Sequence, residues 1–396
     1  MISVSTPPES EISAPLAQGG RGSTRALVAL LAFVLGFATI PHRVCERDAK
    51  SWLSNEPQLA EPLARGVERW TTSELSEKSF ATGSARFDGE WMFGTHVMAA
   101  LGFGQLALTD PKTKAVNVER MGRCLDVLEK RSLREFDRAA WGDDAIDTLE
   151  SGHGHLAYLG YAAVAYSLQR RVNPSSKYAA LEERMVAAIE KRVMDSRIGF
   201  VETYPGELYP VDNATALAAL ALHAKALGQE PSPAQIKLTA ALRGAIDPQT
   251  KLLYQSVDTD ASMKDSPRAS GTALAAYLVA YVDPALSREL FHALEKGQFR
   301  TVLGFGAMME YPPSKKDGRG DIDSGPVVLG FGVSATGFAL GASRANGDRE
   351  TFTALYATAH LFGAPFDEDG VRTYTTGGPI GDAILFAMLT APKAGT

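Results

Sequence analysis

The sequence predicts an all-α fold in which six helical hairpins form a closed double ring, preceded by one N-terminal apolar helix. Two observations support this prediction. From about residue 50 onward, apolar residues recur with the 3.6-residue period of a helix, and β-branched alternating runs are scarce. Along the same part of the chain, helices that are apolar nearly all round alternate with amphipathic helices.

The apolar helices recur at a nearly constant interval. They are rich in Ala and Gly, and their starts are separated by 64, 58, 58, 64 and 46 residues. A helix that is apolar nearly all round must be buried, so six of them form an inner ring. A count of six favours a closed ring over an open superhelix, and an irregular helical bundle is the alternative. The predicted starts lie near Trp91, His155, Asn213, Gly271, Ala335 and Gly381.

The amphipathic helices supply the outer ring, because an amphipathic helix lies at a surface. Each inner helix is preceded by a long polar loop, so these loops should gather on one face of the ring. Asp212 is a capping candidate at such a helix start. The predicted outer helices cover residues 118–130, 177–194, 233–245, 284–296 and 349–361.

The composition limits the possible functions. Of 396 residues, 45% are hydrophobic and 22% are charged, as in a globular protein. The net charge of -6 is spread without long runs, which argues against a nucleic-acid partner. Cys45 and Cys124 are the only cysteines, too few for a disulfide framework or a zinc site, although they could form one bridge.

The N-terminal region is separate from the ring. Residues 1–25 are rich in Ser, Pro, Glu and Gly, which predicts a disordered tail. Residues 26–41 contain an uncharged apolar run that spans roughly 22 Å as a helix, against ~30 Å for the hydrocarbon core. No signal-peptidase site follows, so we expect an uncleaved single-pass anchor rather than a cleaved signal. Residues 42–59 are then a linker, and residues 60–392 form the ring domain on the extracytoplasmic side of a membrane.

Six hairpins of this length, with acidic and aromatic motifs before the inner helices, resemble the (α/α)6 toroid or six-hairpin superfamily. The resemblance covers about residues 60–392 and implies a glycan-active enzyme, such as a glycoside hydrolase or a polysaccharide lyase. The segments Tyr209-Pro-Val-Asp212-Asn213 and Gly152-His-Gly-His155 are also similar to the linalool dehydratase/isomerase family. Cysteines take part in the chemistry of that family, and this chain has none at the corresponding positions.

The first two loops offer candidate catalytic groups. Asp88 lies near Trp91, an arrangement that suits proton transfer beside a stacked ring, although Asp88 could instead cap a helix. His155 is a candidate proton shuttle or hydrogen-bond donor. His153 and His155 enter a helix, where residues two apart point away from each other, so no metal site is expected.

The third loop, residues 202–213, is the densest polar stretch. Glu202 is the candidate general acid, because a carboxyl group packed against tyrosines is partly desolvated and its pKa rises. Tyr204, Tyr209 and Asn213 are candidate substrate-binding residues.

Two later loops add further substrate-binding candidates. Arg268 could bind a substrate carboxylate through a bidentate contact, or form a structural ion pair instead. Tyr311 lies in the fifth and longest loop, beside an acidic residue.

Three functions compete at this point. The first is a glycan-active hydrolase in which Glu202 and Asp88 are acid and base, or acid and nucleophile, with His155 assisting. The second is a lyase or isomerase acting on a small alcohol, and the third is a non-catalytic binding module. None of the three calls for a cofactor, and the expected partners are a glycan or small-molecule substrate and the membrane.

Overall fold

The computed structural model describes residues 21–73, 75–76, 79–80, 82–313, 315, 318, 320 and 325–396, and these residues are mainly helical. The helices are α1 (Arg21–Cys45), α2 (Ala49–Leu53), α3 (Pro57–Thr72), α4 (Ala85–Thr109), α5 (Lys114–Leu128), α6 (Glu135–Trp141), α7 (Leu156–Val172), α8 (Ala179–Asp195), α9 (Pro210–Leu227), α10 (Pro233–Gly244), α11 (Ala269–Val279), α12 (Pro284–Gly297), α13 (Val333–Ala345), α14 (Arg349–Gly363) and α15 (Gly378–Leu389).

Six of these helices form a closed inner ring. In chain order α4, α7, α9, α11, α13 and α15 each pack on the next, and α15 packs back on α4. Each begins within six residues of its predicted start, so the predicted ring is confirmed.

Glycines and small residues allow the inner helices to approach closely. A β-carbon at Gly160 would lie 2.3 Å from Oγ1 of Thr215, and one at Gly341 would lie 2.4 Å from the sulfur of Met388. Neither position therefore has room for a side chain, because interiors are packed at the density of organic crystals. The Ala- and Gly-rich composition of these helices thus follows from their position at the centre.

The outer ring confirms the predicted alternation. Helices α5, α8, α10, α12 and α14 each pack on the inner helix that precedes them in the chain. The sixth outer helix is α3, which comes first in the chain and packs on α15 and α4. Through α3, the N-terminal part of the ring therefore closes on its C-terminal part.

A buried polar network fills the ring at the C-terminal ends of the inner helices. The side-chain amide of Gln105 donates to the hydroxyl groups of Tyr277 and Tyr281, and the Thr390 hydroxyl donates to Gln105 Oε1 at 2.8 Å. All four side chains are buried. The polar loops lie at the opposite end of the ring, which we call its entrance.

The described residues contain four short β-hairpins that were not predicted. Each is a two-stranded antiparallel sheet, and all four lie in the loops that lead into α11, α13 and α15. Their strands are too short for an alternating pattern to be visible in the sequence. They are β1 (Ser256–Val257) with β2 (Met263–Asp265), β3 (Phe299–Val302) with β4 (Phe305–Met308), β5 (Val327–Val328) with β6 (Phe331–Gly332), and β7 (Pro365–Glu368) with β8 (Val371–Tyr374).

The N-terminal region differs in part from its prediction. Helix α1 covers the whole predicted anchor segment, residues 26–41, and begins at Arg21, inside the stretch predicted as a disordered tail. Residues 1–20 of that tail lie outside the described residues. No helix in the described part of the chain is both long enough and apolar enough to cross a membrane. The predicted linker, residues 42–59, contains α2 and the start of α3.

Candidate functional site at the entrances of the inner helices

A hydrogen bond joins the entrance of α4 to the entrance of α9. The Tyr204 hydroxyl donates to Glu90 Oε2 at 3.1 Å, and the Arg86 guanidinium carbon lies 3.6 Å from the centroid of the Tyr204 ring. Burial, reinforced by the neighbouring Glu90 carboxylate, raises the pKa of Tyr204, so its hydroxyl remains a donor at neutral pH. The first-loop carboxylate that meets the third loop is therefore Glu90, not the predicted Asp88.

The third loop brings a second carboxylate to this place through a tight turn. Pro205 and Gly206 occupy the corner, Gly206 has a φ of 73°, and the Glu207 N–H donates to the Tyr204 carbonyl at 2.9 Å. Proline followed by a glycine of positive φ is the signature of a type II turn. The turn holds Glu207 beside Arg86.

Arg86 and Tyr209 complete this cluster. Burial disfavours the charge on Arg86, but Tyr204, Glu90 and Glu207 outweigh that effect, and the pKa of Arg86 is raised. The Tyr209 hydroxyl donates to Glu207 Oε2 at 3.2 Å. Glu90 and Glu207 are both partly exposed, so solvent-borne groups can reach this cluster. We call Arg86, Glu90, Tyr204, Glu207 and Tyr209 the entrance cluster.

The two predicted catalytic carboxylates lie beside this cluster with different surroundings. Oδ1 of Asp88 accepts the Thr82 backbone N–H at 2.7 Å, a contact that fixes the first loop. Glu202 is half-buried, and among the described residues its carboxylate has no hydrogen-bond partner. Its backbone carbonyl accepts the Leu156 N–H at 3.2 Å, which ties the third loop to the start of α7. The catalytic assignment of both residues stays a prediction.

Asp212 and Asn213 hold the third loop in place. Helix α9 begins at Pro210 with Tyr209 as its N-cap, so the expectation that Asp212 caps it is wrong. Asp212 instead accepts from the hydroxyls of Tyr161 and Thr203, both at 2.9 Å.

The Asn213 side chain is fully buried, and its amide exchanges hydrogen bonds with the Val201 backbone at 2.9 and 3.0 Å. Its Nδ2 also donates to the Tyr209 carbonyl. These contacts use the side-chain amide within the protein, so Asn213 positions the loop.

Arg268 and Tyr311 meet at a different part of the entrance, between α11 and α13. The Arg268 guanidinium lies 5.5 Å from the centroid of the Tyr311 ring, and the Tyr311 side chain is almost fully buried. Beside them the Ser270 hydroxyl donates to the buried Glu310 at 2.5 Å. Trp91 is half-buried in the first turns of α4. The substrate-binding roles of these residues stay predictions.

His155 is fully buried, with a carboxylate at each ring nitrogen. Its Nδ1 lies 2.7 Å from Asp137 Oδ2, and its Nε2 lies 3.0 Å from Asp143 Oδ1. His153 Nδ1 lies 2.9 Å from the other oxygen of Asp143.

The expectation that the two histidines point apart is therefore wrong. Residues 153–155 precede the helix, and His155 has a left-handed φ of 52°, which turns both rings to the same side. The His155 ring is fully buried behind these neighbours, and its catalytic assignment stays a prediction.

The structure brings five groups into these clusters that were not among the assigned site residues, although Glu207 belongs to the third loop that supplied most of them: Arg86, Glu90, Glu207, Asp137 and Asp143. The two acids that flank Gly89, Asp88 and Glu90, were visible, but the sequence could not show which of them contacts the third loop. Asp137 lies on α6, a short helix outside the repeat, and no spacing signal connects it with His155.

Comparisons with known proteins return structures but no sequence relatives. No family model and no curated protein matches the chain. A GH76 α-mannanase of Bacteroides thetaiotaomicron is similar at 9% identity and a TM-score of 0.43, over 75% of this chain and 84% of the mannanase.

Two further structures are similar at 12% identity. A family 105 glycoside hydrolase of C. acetobutylicum matches with a TM-score of 0.36, over 74% of this chain and 92% of its own. A polysaccharide lyase matches with a TM-score of 0.40, over 83% and 99% respectively. At these scores no residue of the site can be carried over from these proteins, and the site rests on this chain's own contacts.

Proposed function

We propose that this protein is a glycan-active enzyme that uses the entrance cluster for carboxylate acid–base chemistry. The observation that supports this proposal is the convergence of Glu90 and Glu207, from loops 117 positions apart, around Tyr204 and Arg86. The substrate class comes from the resemblance to the six-hairpin superfamily, and the chemistry comes from the cluster itself.

The geometry supports a division of roles within the cluster. Tyr204 donates a hydrogen bond to Glu90 and so orients that carboxylate, while Arg86 supplies a positive charge next to both acids. A pair of carboxylates at one site can transfer protons to and from a glycosidic oxygen and a water molecule. The half-buried Glu202, which belongs to the same loop as Tyr204, is the reserve candidate for the acid.

An activity screen tests this proposal. The full chain is incubated with neutral and acidic polysaccharides, with release of reducing ends as the readout for hydrolysis and ultraviolet absorbance of unsaturated products as the readout for lyase action. On any substrate that is cleaved, Glu90→Gln and Glu207→Gln should each lower kcat by about 10²–10⁴-fold.

The matched control is Glu368→Gln, an exposed acid at the end of β7, which should retain full activity. Circular dichroism confirms that each variant is folded. If both entrance variants keep the wild-type rate while Glu202→Gln and Asp88→Asn abolish it, the originally predicted pair is the catalytic one. If no glycan is processed, the proposal fails.

The two cysteines of this chain do not support the cysteine chemistry that the resemblance to the linalool dehydratase/isomerase family implies. Burial raises the pKa of the Cys124 thiol to about 12, so it is protonated at neutral pH, and Cys45 is also buried. A thiol in this state is a poor nucleophile or base.

We also propose that the protein associates with a membrane through α1, with the ring domain on the extracytoplasmic side. The support is a run of exposed apolar side chains on α1, including Leu27, Leu30 and Phe33. Because apolar side chains gain free energy on leaving water, replacing these three with Ser should move the protein from the membrane fraction to the soluble fraction. An unchanged distribution would refute the proposal. Protease treatment of intact cells would show on which side of the membrane the ring domain lies.

A further inference from the structure

We propose that Asp143, His153 and His155 form a binding site for a divalent transition metal of the zinc class. This site is separate from the entrance cluster, and the inference does not depend on the proposed glycan activity. It rests on the ligand geometry, on the buried partner of His155 and on the exposure of His153 and Asp143.

The donor atoms of these residues already lie at nearly the spacing that a metal requires. One donor atom from each residue can be chosen so that all three lie within 4.8 Å of one another. Asp143 is the common neighbour, with 3.0 Å to His155 Nε2 and 2.9 Å to His153 Nδ1. Adjacent ligands around a tetrahedral zinc ion with bonds of about 2.0–2.1 Å are about 3.3 Å apart. Small side-chain rotations would therefore open the cluster enough for the ion.

A carboxylate contacts Nδ1 of His155, the ring nitrogen that would not bind the metal, as it does in many metal sites. Asp137 Oδ2 lies 2.7 Å from His155 Nδ1, and both side chains are fully buried. A ligating histidine typically donates its other ring N–H to a carboxylate, which fixes the tautomer and the ring orientation. With the proton on Nδ1, the lone pair of Nε2 points at an Asp143 oxygen, which is also an acceptor. A cation between these two atoms would relieve the contact.

The local charge also favours a cation. Asp137 and Asp143 bring two carboxylates to His155, and Oδ1 of Asp137 is buried without a hydrogen-bond partner in the described part of the chain. The nearby Arg192 directs its guanidinium to the carbonyls of Thr148, Leu149 and Gly154 at 3.3–3.4 Å. Its hydrogen bonds therefore fix the backbone of the loop, and its charge acts on Asp137 and Asp143 only through space.

The cluster is rigid on one side and open on the other. Trp141 stacks on His153 with the ring centroids 5.3 Å apart and lies 5.0 Å from the His155 ring. The side chains are 51%, 32% and 0% exposed for His153, Asp143 and His155 respectively. Asp143 also lines a surface groove of about 540 Å³. A metal could thus enter from solvent and keep a coordination position open, as catalytic zinc sites with three protein ligands do.

The donor set indicates the class of metal. Two imidazole nitrogens and one carboxylate suit zinc and neighbouring transition metals, whereas calcium and magnesium prefer sets made of oxygen atoms. A bound ion would also brace the third loop, because Gly154 lies between the two histidines and packs on the backbone of Glu202.

Metal titration of the purified full chain tests this inference without any activity assay. After treatment with a chelator, the protein is titrated with Zn²⁺ in a calorimeter, and Co²⁺ is added separately to record visible absorption. We expect one Zn²⁺ per chain and the intense bands of low-symmetry Co²⁺. His153→Ala and Asp143→Asn should each weaken Zn²⁺ binding by at least about 10-fold. Both replaced side chains are partly exposed, so the variants should fold, and circular dichroism checks this.

The matched control is His292→Ala on α12. His292 is also an exposed histidine with a carboxylate partner, Glu295, at 3.0 Å, but it lacks a third ligand. This variant should bind Zn²⁺ like the wild type. The inference fails if the wild type does not bind Zn²⁺, if the variants at Asp143 and His153 bind it unchanged, or if Ca²⁺ binds equally well. In the first two cases the cluster is only a hydrogen-bonded Asp–His–Asp arrangement.

Discussion

The two halves of the ring entrance are built differently. The loops leading into α4, α7 and α9 contain no β-hairpin among their described residues, and they carry the entrance cluster and the His155 cluster. The loops leading into α11, α13 and α15 contain the four hairpins, and two of the hairpin turns expose apolar side chains. Leu303 at one of these turns is 60% exposed and Leu329 at another is 91% exposed.

This difference has a simple physical origin. A hairpin satisfies its own backbone hydrogen bonds, so its side chains are free to point outward. In the loops without a hairpin, side chains also accept backbone N–H groups, as Asn213 does from Val201 and Asp88 does from Thr82. Such loops hold polar groups at fixed distances in partly buried surroundings, which is the condition for acid–base chemistry. The following predictions test whether the loops leading into α4, α7 and α9 tolerate substitutions less well than the loops leading into α11, α13 and α15.

The largest effect should come from the contact between the second and third loops. A β-carbon at Gly154 would lie 2.1 Å from the Glu202 carbonyl oxygen, which belongs to the backbone and cannot move aside cheaply. We expect Gly154→Ala to lower the free energy of unfolding by about 3 kcal/mol. Chemical denaturation measures this loss. Gly152 in the same loop has open space around its α-carbon, so Gly152→Ala is the control and should be nearly neutral. Equal effects of the two substitutions would show that the loops do not meet as described.

The next effect is a pH-dependent change in stability at the start of α15, in the half of the entrance that contains the hairpins. Asp382 is fully buried on α15, where it accepts hydrogen bonds from Trp70 Nε1 at 2.7 Å and from the Tyr374 N–H at 2.9 Å. Burial raises its pKa from 3.8 to about 6. Its contribution to stability is therefore present at low pH and is lost as the pH rises from about 4 to above 6, by up to about 3 kcal/mol.

Asp382→Asn should remove this pH dependence. The difference in unfolding free energy between wild type and variant should therefore change across that pH range. The variant should also lose about 1 kcal/mol at every pH, because its hydrogen bonds are weaker. Urea denaturation at pH 4, 5, 6 and 7 measures the difference, from which the contributions of all other carboxylates cancel. A difference that stays constant with pH would show that folding does not raise the pKa of Asp382.

A smaller effect is expected at the entrance cluster. Tyr204→Phe removes the hydrogen bond to Glu90 while keeping the ring under Arg86, and should cost about 1–2 kcal/mol of unfolding free energy. The control is Tyr254→Phe in the loop before α11, where the described residues offer the hydroxyl no hydrogen-bond partner. That substitution should stay within about 0.5 kcal/mol. Equal losses for the two variants would contradict a special role of the Tyr204 hydroxyl.

The smallest effect should come from a hairpin turn of the second half. Leu329 is 91% exposed and has a φ of 53°, a left-handed conformation that Asn adopts more readily than Leu. Leu329→Asn should leave the free energy of unfolding unchanged or raise it by up to about 0.5 kcal/mol. Thermal unfolding detects either result. A loss above 1 kcal/mol would show that this turn is packed against another part of the protein.

The repeat determined most of the architecture. Apolar helices alternating with amphipathic ones at a regular interval predict six hairpins, because the burial of a helix depends on its own pattern of side chains. The same pattern placed the polar loops at one end of the ring.

Only the tertiary structure decided which side chains meet. Glu90 rather than Asp88 contacts Tyr204, and the left-handed φ of His155 brings two histidines together that a helix would separate. Asp137 joins them from a helix outside the repeat. Periodicity is a local property, whereas these contacts depend on single backbone angles in loops and on partners up to 114 residues away. The sequence alone therefore determined the ring and the end at which its polar loops lie, and the tertiary structure decided which residues form each cluster.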